Sequence, residues 1–175
     1  MLKFALQMES LVINNDEFFA SVLDCLASGN DATIPVKGFS MLPLIRAEKD
    51  LVVLGTFDEL REKDIVLFRY CGRYVMHRII SIEGDRIEIM GDGVLENREV
   101  VRRDAVCARA KAILRGGKRK RNPYSPLCLW LFDRWYALLP LRRYLLWIYR
   151  RLPWNYFWLR RQSRAALKAQ SEETP

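Results

Sequence analysis

The chain has 175 residues, half of them apolar, enough for one domain of ordinary size with a buried core and an appendage. Its net charge of +8 is unevenly placed: residues 1–114 carry 15 Lys and Arg against 18 Asp and Glu, whereas residues 115–161 carry 12 against the single Asp133. The first part is mildly acidic and the basic character belongs to the tail, where the dominance of Leu, Ile and Trp makes a nucleic-acid reading the weaker one, so no nucleic-acid partner is expected.

The start, "MLKFALQMESLVINNDE", is interrupted by Glu9 before a signal-peptide core could form, so no export signal is read from it. Residues 16–28 carry Phe19, Val22, Leu23 and Leu26 at helical spacing, between Asn14 and Asn15 as caps and Gly29 as a stop, and predict one short amphipathic helix. From Thr33 the texture changes to short runs of Val, Ile, Tyr and Phe separated by turn residues. These predict strands over Thr33–Val36, Leu51–Leu54, Ile65–Tyr70, Arg73–Ile80, Arg86–Met90 and Ala105–Leu114. Cys71 and Gly72 form a two-residue hairpin signal, and Glu83 to Asp85 mark a second tight turn.

The expected division is a helical segment over 1–32, an antiparallel β domain over 33–115, a basic linker over 116–123, an aromatic and arginine-rich helical tail over 124–161, and a polar terminus over 162–175. All five tryptophans lie in the tail. There Leu141, Tyr144, Leu145, Ile148 and Leu152 share one helical face, with Arg142, Arg143, Arg150 and Arg151 away from it. Arginines beside Trp130, Trp135, Trp147, Trp154 and Trp158 suit the headgroup boundary of a bilayer, and packing on the domain or on a partner subunit is the alternative. No charge-free apolar run reaches the roughly 18 residues of a spanning helix, so the expected location is cytoplasmic and peripheral at a membrane.

Cys25, Cys71, Cys107 and Cys128 are far apart, and one histidine accompanies them, so the paired spacing of zinc and redox motifs is missing and neither metal nor cofactor is expected. Three residues invite a catalytic reading. Ser40 sits in a turn between Gly38 and Pro43, and His77 lies mid-strand on the face of Val75 and Ile79. Asp92 ends the following strand between Gly91 and Gly93. A serine nucleophile needs a base and a group that orients it, and these three could fill those roles. Each also has a structural reading: turn serine, core histidine, turn aspartate.

The ordered set "KGFSMLP", "KDIVLF", "YVMHRI" and "MGDG" resembles the signal peptidase and LexA-like serine peptidases over roughly residues 33–114. The resemblance implies a mainly β fold with a coiled, barrel-like antiparallel sheet, one short N-terminal helix and a helical C-terminal tail. It implies a serine endopeptidase acting through an acyl-enzyme on a peptide at or near a membrane, with Ser40 as nucleophile, His77 as base and Asp92 as orienting acid. The base is lysine in LexA proteins and bacterial signal peptidases and histidine in another branch, which "HRI" resembles. Gly38 stands where signal peptidases often place an oxyanion-binding hydroxyl, which leaves backbone N–H groups near Phe39 and Ser40 for that task, while Met41 and Pro43 shape the turn. After the G-D pair only Glu96 offers a further acid, and no N-terminal membrane anchor is visible. The alternatives are a peptidase-fold module that binds peptide or membrane without turnover, and a self-cleaving LexA-like regulator.

Overall fold

The computed structural model describes residues 15–95 and 97–151. They divide into two compact units at Leu129 and Trp130. The first unit begins with α1 (Asn15–Ala27), whose first turn carries Asp16 and Glu17 against the positive end of the helix dipole. Gly29 closes it with a positive φ of 80°, which costs glycine little.

Eight strands follow: β1 (Ala32–Pro35), β2 (Leu51–Gly55), β3 (Ile65–Tyr70), β4 (Arg73–Glu83), β5 (Arg86–Met90), β6 (Glu99–Arg102), β7 (Val106–Arg115) and β8 (Arg119–Arg121). They form one antiparallel sheet in the order β1-β2-β7-β3-β4-β5-β6, with β8 paired to β7. The mainly β architecture with a short N-terminal helix and a helical C-terminal part agrees with the sequence expectation.

Between β3 and β4, Cys71 and Gly72 both take positive φ, 48° and 75°. That is the twist a two-residue hairpin loop needs to match its strands. Two strands were not expected. β6 is four residues long and flanked by charge, and β8 lies inside the stretch read as a linker, where Gly116 and Gly117 turn the chain back so that Arg119–Arg121 pairs with β7.

The sheet has apolar material on both faces. Strand β3 shows why: by alternation Ile65 and Leu67 join one core with Val22 and Leu26 of α1, while Val66 and Phe68 join a second with Ile79, Ile87 and Ile89. Its four consecutive buried residues mark a strand covered on both sides.

The second unit contains most of α2 (Pro126–Ala137) and all of α3 (Leu139–Arg151). Among the described residues no helix is long and apolar enough to cross a membrane.

Candidate active site

The loop after β1 carries Ser40. Gly38 takes a φ of 80°, Phe39 is 54% exposed, and Ser40 is half-buried. Immediately after it, Met41 and Ile45 are buried in the core that α1 covers. Leu42 N donates to Phe39 O at 3.2 Å and Ile45 N to Met41 O at 2.9 Å, so two overlapping turns follow one another, the second spanning the cis Leu42–Pro43 bond. Buried Met41 ties this stretch to the core, and Ser40 stays at its half-buried edge.

The far end of this loop is clamped by Asp50, which is fully buried. Its carboxylate accepts from Arg46 N at 2.9 Å, Arg46 Nη2 at 3.0 Å, Arg115 Nη1 at 2.7 Å and Gly116 N at 3.1 Å. Burial alone would push its pKa up; the hydrogen bonds from Arg46 and Gly116 and the charge of Arg115 overcome that and hold it below the ordinary value of 3.8. The clamp ties the Ser40 loop to the turn between β7 and β8.

The support beneath Ser40 is Gly91-Asp92-Gly93. Gly93 N donates to Ser40 O at 2.6 Å. A Cβ added at Gly93 would lie 2.5 Å from Phe39 O, and one added at Gly91 would lie 2.5 Å from Ser40 O and 3.0 Å from His77 Nε2. Both glycines are thus required by close backbone approach. The same contacts place the Nε2 edge of His77 beside the Ser40 turn.

Asp92 lies between them but turns away from His77. It is 2% exposed, and its oxygens accept from Arg78 Nε and Nη2, both at 2.9 Å, in a buried bidentate pair. Arg78 Nη1 also donates to Lys63 O at 2.8 Å. Burial would lower the Arg78 pKa; the charge and hydrogen bonds of Asp92 instead raise it. The expectation that Asp92 orients His77 is corrected: its carboxylate is committed to the guanidinium one residue further along β4, which alternation sends to the other side of the strand.

The carboxylate on His77 is Glu99, the first residue of β6, whose Oε2 lies 3.1 Å from His77 Nδ1. His77 is buried, paired across the ladder with Val66, and its ring lies 6.1 Å from that of Phe68. Sequence reading missed Glu99 because it missed β6. The available signal was the alternation of "EVVR", in which Glu99 and the buried Val101 share a face.

The helical unit places its sequence-selected residues differently from expectation. Trp130 and Trp147 are exposed, as is Arg143. Arg142 is fully buried and lies 5.4 Å from the ring centroid of half-buried Trp135, sharing its inward side with Leu146 one turn on. The reading of Arg142 as a headgroup contact is therefore corrected: the aromatic face receives it, and Leu141, Tyr144, Leu145 and Ile148 point outward. The side chains of Arg150 and Arg151, and all of Glu96, Leu152, Trp154 and Trp158, lie outside the described residues.

Residues 5–107 match the model of the Peptidase S24-like family, and the chain belongs to that family. No curated protein matches it. The family makes the chain a serine-peptidase-like protein of a fold that generally acts on peptides or proteins. Its peptidases use a serine–lysine dyad, and the expected Ser40, His77, Asp92 triad is corrected on that ground as well as on the Asp92–Arg78 pairing. The dyad has no orienting acid, and the motif strand carries histidine here.

Proposed function

We propose that this member of the Peptidase S24-like family is a serine-type endopeptidase whose nucleophile is Ser40. The observation that carries the reading is the half-buried Ser40 at the edge of a turn whose carbonyl is held by Gly93 N at 2.6 Å. The Ser40 hydroxyl attacks the peptide carbonyl carbon while its proton passes to a general base. The C–N bond then breaks as that proton moves to the leaving amine, and water releases the acyl group by the reverse sequence.

The helical pair supports a place for this activity at an anionic bilayer surface. Leu141, Tyr144, Leu145, Trp147 and Ile148 are exposed together on α3, and Arg143 is exposed beside them.

The test is labelling by a fluorophosphonate probe with mapping of the modified residue. The reading expects modification of Ser40, lost in Ser40→Ala. Labelling elsewhere, or none at Ser40, overturns it.

A further inference from the structure

The stretch from Arg115 to Arg121 holds five basic residues, Arg115 and Lys118 to Arg121, and the next acid along the chain is Asp133. In a flexible linker such charges would spread apart. Here the backbone holds them together. Gly116 and Gly117 turn at positive φ, 59° and 74°, and Gly116 N donates to the buried carboxylate of Asp50 at 3.1 Å. Arg119, Lys120 and Arg121 then pair with Arg115, Leu114 and Ile113 of β7. The exit is fixed as well, because Tyr124 donates its hydroxyl to Ala110 O at 2.7 Å and accepts from Ile65 N. At about 3.4 Å per residue, Lys118 to Arg121 span roughly 10 Å, close to the Debye length of about 8 Å at physiological salt. Their mutual repulsion is therefore only partly screened.

Among the described residues no carboxylate relieves it. All four side chains are exposed and none has an acidic partner. Asp50, which holds the turn, is fully buried and already accepts from Arg46, Arg115 and Gly116. Arg115 also stands directly opposite Arg119 in the ladder, a like-charge pair that disfavours the hairpin. Guarding an open sheet edge takes isolated charges, and four consecutive cations go beyond that need. We infer that the Lys118–Arg121 hairpin is a surface of the β unit that docks on the phosphate layer of an anionic bilayer. The choice of partner rests on the proposed bilayer location and extends it from the helical pair to the β unit. Nucleic acid offers the same phosphate chemistry, and the neighbouring side chains favour lipid over it. Residues 122–125 alone separate β8 from α2, and Leu127, still in the first unit, is 66% exposed, followed along the chain by exposed Trp130 and Leu131. A nucleic-acid backbone has no use for these groups, whereas a headgroup boundary takes cations, aromatic rings and leucines together.

The test is co-sedimentation of the full chain with phosphatidylserine–phosphatidylcholine vesicles across a salt series. Lys118→Gln, Arg119→Gln, Lys120→Gln and Arg121→Gln combined should weaken binding by on the order of 10²-fold at low salt and flatten its salt dependence, while the thermal melt stays unchanged or rises. Arg119→Lys with Arg121→Lys keeps the charge and should bind as the unaltered protein does. If the fourfold variant self-associates, Lys118→Gln with Lys120→Gln carries the test, with a weakening of about tenfold or more. Unchanged binding in the neutralised variants overturns the inference and leaves the helical pair's bilayer contact standing. Loss of binding in them, with full binding by the Trp147→Asp, Ile148→Asp variant, supports the inference and removes the contact assigned to α3. Hairpin-dependent binding to random-sequence duplex DNA that is tighter than binding to vesicles overturns it by assigning the surface to nucleic acid. No binding of the unaltered protein to anionic vesicles at low salt defeats both readings.

Discussion

The β unit and the helical pair follow opposite rules about what is covered. In the β unit the charges that go inside go in with partners, Asp50 with Arg46 and Arg115 and Asp92 with Arg78, while β3 hides apolar residues on both faces. In the helices Arg142 is covered and five large apolar or aromatic side chains of α3 are not. The difference teaches that burial follows partnership as much as polarity. A guanidinium goes inside where a carboxylate or an aromatic face receives it, and a leucine stays outside where no surface within its own unit takes it.

The largest effect expected from breaking this comparison is in the β unit. Arg78→Met leaves the Asp92 carboxylate buried without its guanidinium, and should cost about 3–5 kcal/mol in urea unfolding. The double variant with Asp92→Leu should recover a large share, because the desolvated charge goes too. A cost no greater than that of an exposed pair such as Arg102 and Asp85 would show that burial adds nothing to the Arg78–Asp92 pair.

In the helices the sign of the experiment reverses. Trp147→Asp with Ile148→Asp should leave folding stability within about 1 kcal/mol, since both side chains are exposed. Co-sedimentation with anionic vesicles should fall at least tenfold, since burying one such side chain is worth roughly 1.5–3 kcal/mol. Arg143→Gln should instead remove about 1 kcal/mol of the salt-sensitive part. Absence of the unaltered protein from anionic vesicles at low salt would defeat the bilayer reading.

A smaller effect tests the support under the turn. Gly91→Ala puts a methyl 2.5 Å from Ser40 O, and should cost about 1–3 kcal/mol. Because the clash is with the backbone of the Ser40 turn, Ser40 labelling should drop by more than the stability loss explains. Equal labelling would mean that the turn relaxes freely.

Much of the fold was legible because β3, β4 and β5 announce themselves by β-branched and aromatic runs, and because Cys71-Gly72 is a strong hairpin signal. Ser40 and His77 were legible as motif residues, whereas the glycines around Asp92, which suggest only a sharp bend in sequence, serve a close backbone approach. The role of Asp92 was not, because alternation sends His77 and Arg78 to opposite sides of β4 and a sequence does not show which of them a carboxylate fourteen residues later will meet. Glu99 stayed hidden because a four-residue edge strand bracketed by charge has too few periods to register. Among the helical residues it is the placement of Arg142 that the sequence did not show. Trp135 gives Arg142 a reason to turn inward that a count of hydrophobic residues does not contain.

The smallest effect concerns the stretch before α2, and it sets two groups of the β unit apart by pH. Tyr124 donates its hydroxyl to Ala110 O at 2.7 Å and accepts from Ile65 N at 3.3 Å, so it pins the approach to the helices onto β3 and β7. Burial is the main reason its pKa is pushed up to about 12 from an ordinary 10.0, with the bond from Ile65 N and the charge of Arg109 pulling the other way. A phenol favoured in its neutral form by folding stabilises fully below pH 10, and that contribution is lost as pH rises toward 12. Asp50 has the opposite sign: its contribution is full above its ordinary 3.8 and is lost as the medium becomes more acid. Tyr124→Phe should therefore cost about 1 kcal/mol at neutral pH and flatten the alkaline limb of stability between pH 10 and 12, leaving the acid limb alone. Thermal melting of both proteins across that range measures it. An alkaline limb equally steep in the variant would assign the loss to groups other than Tyr124.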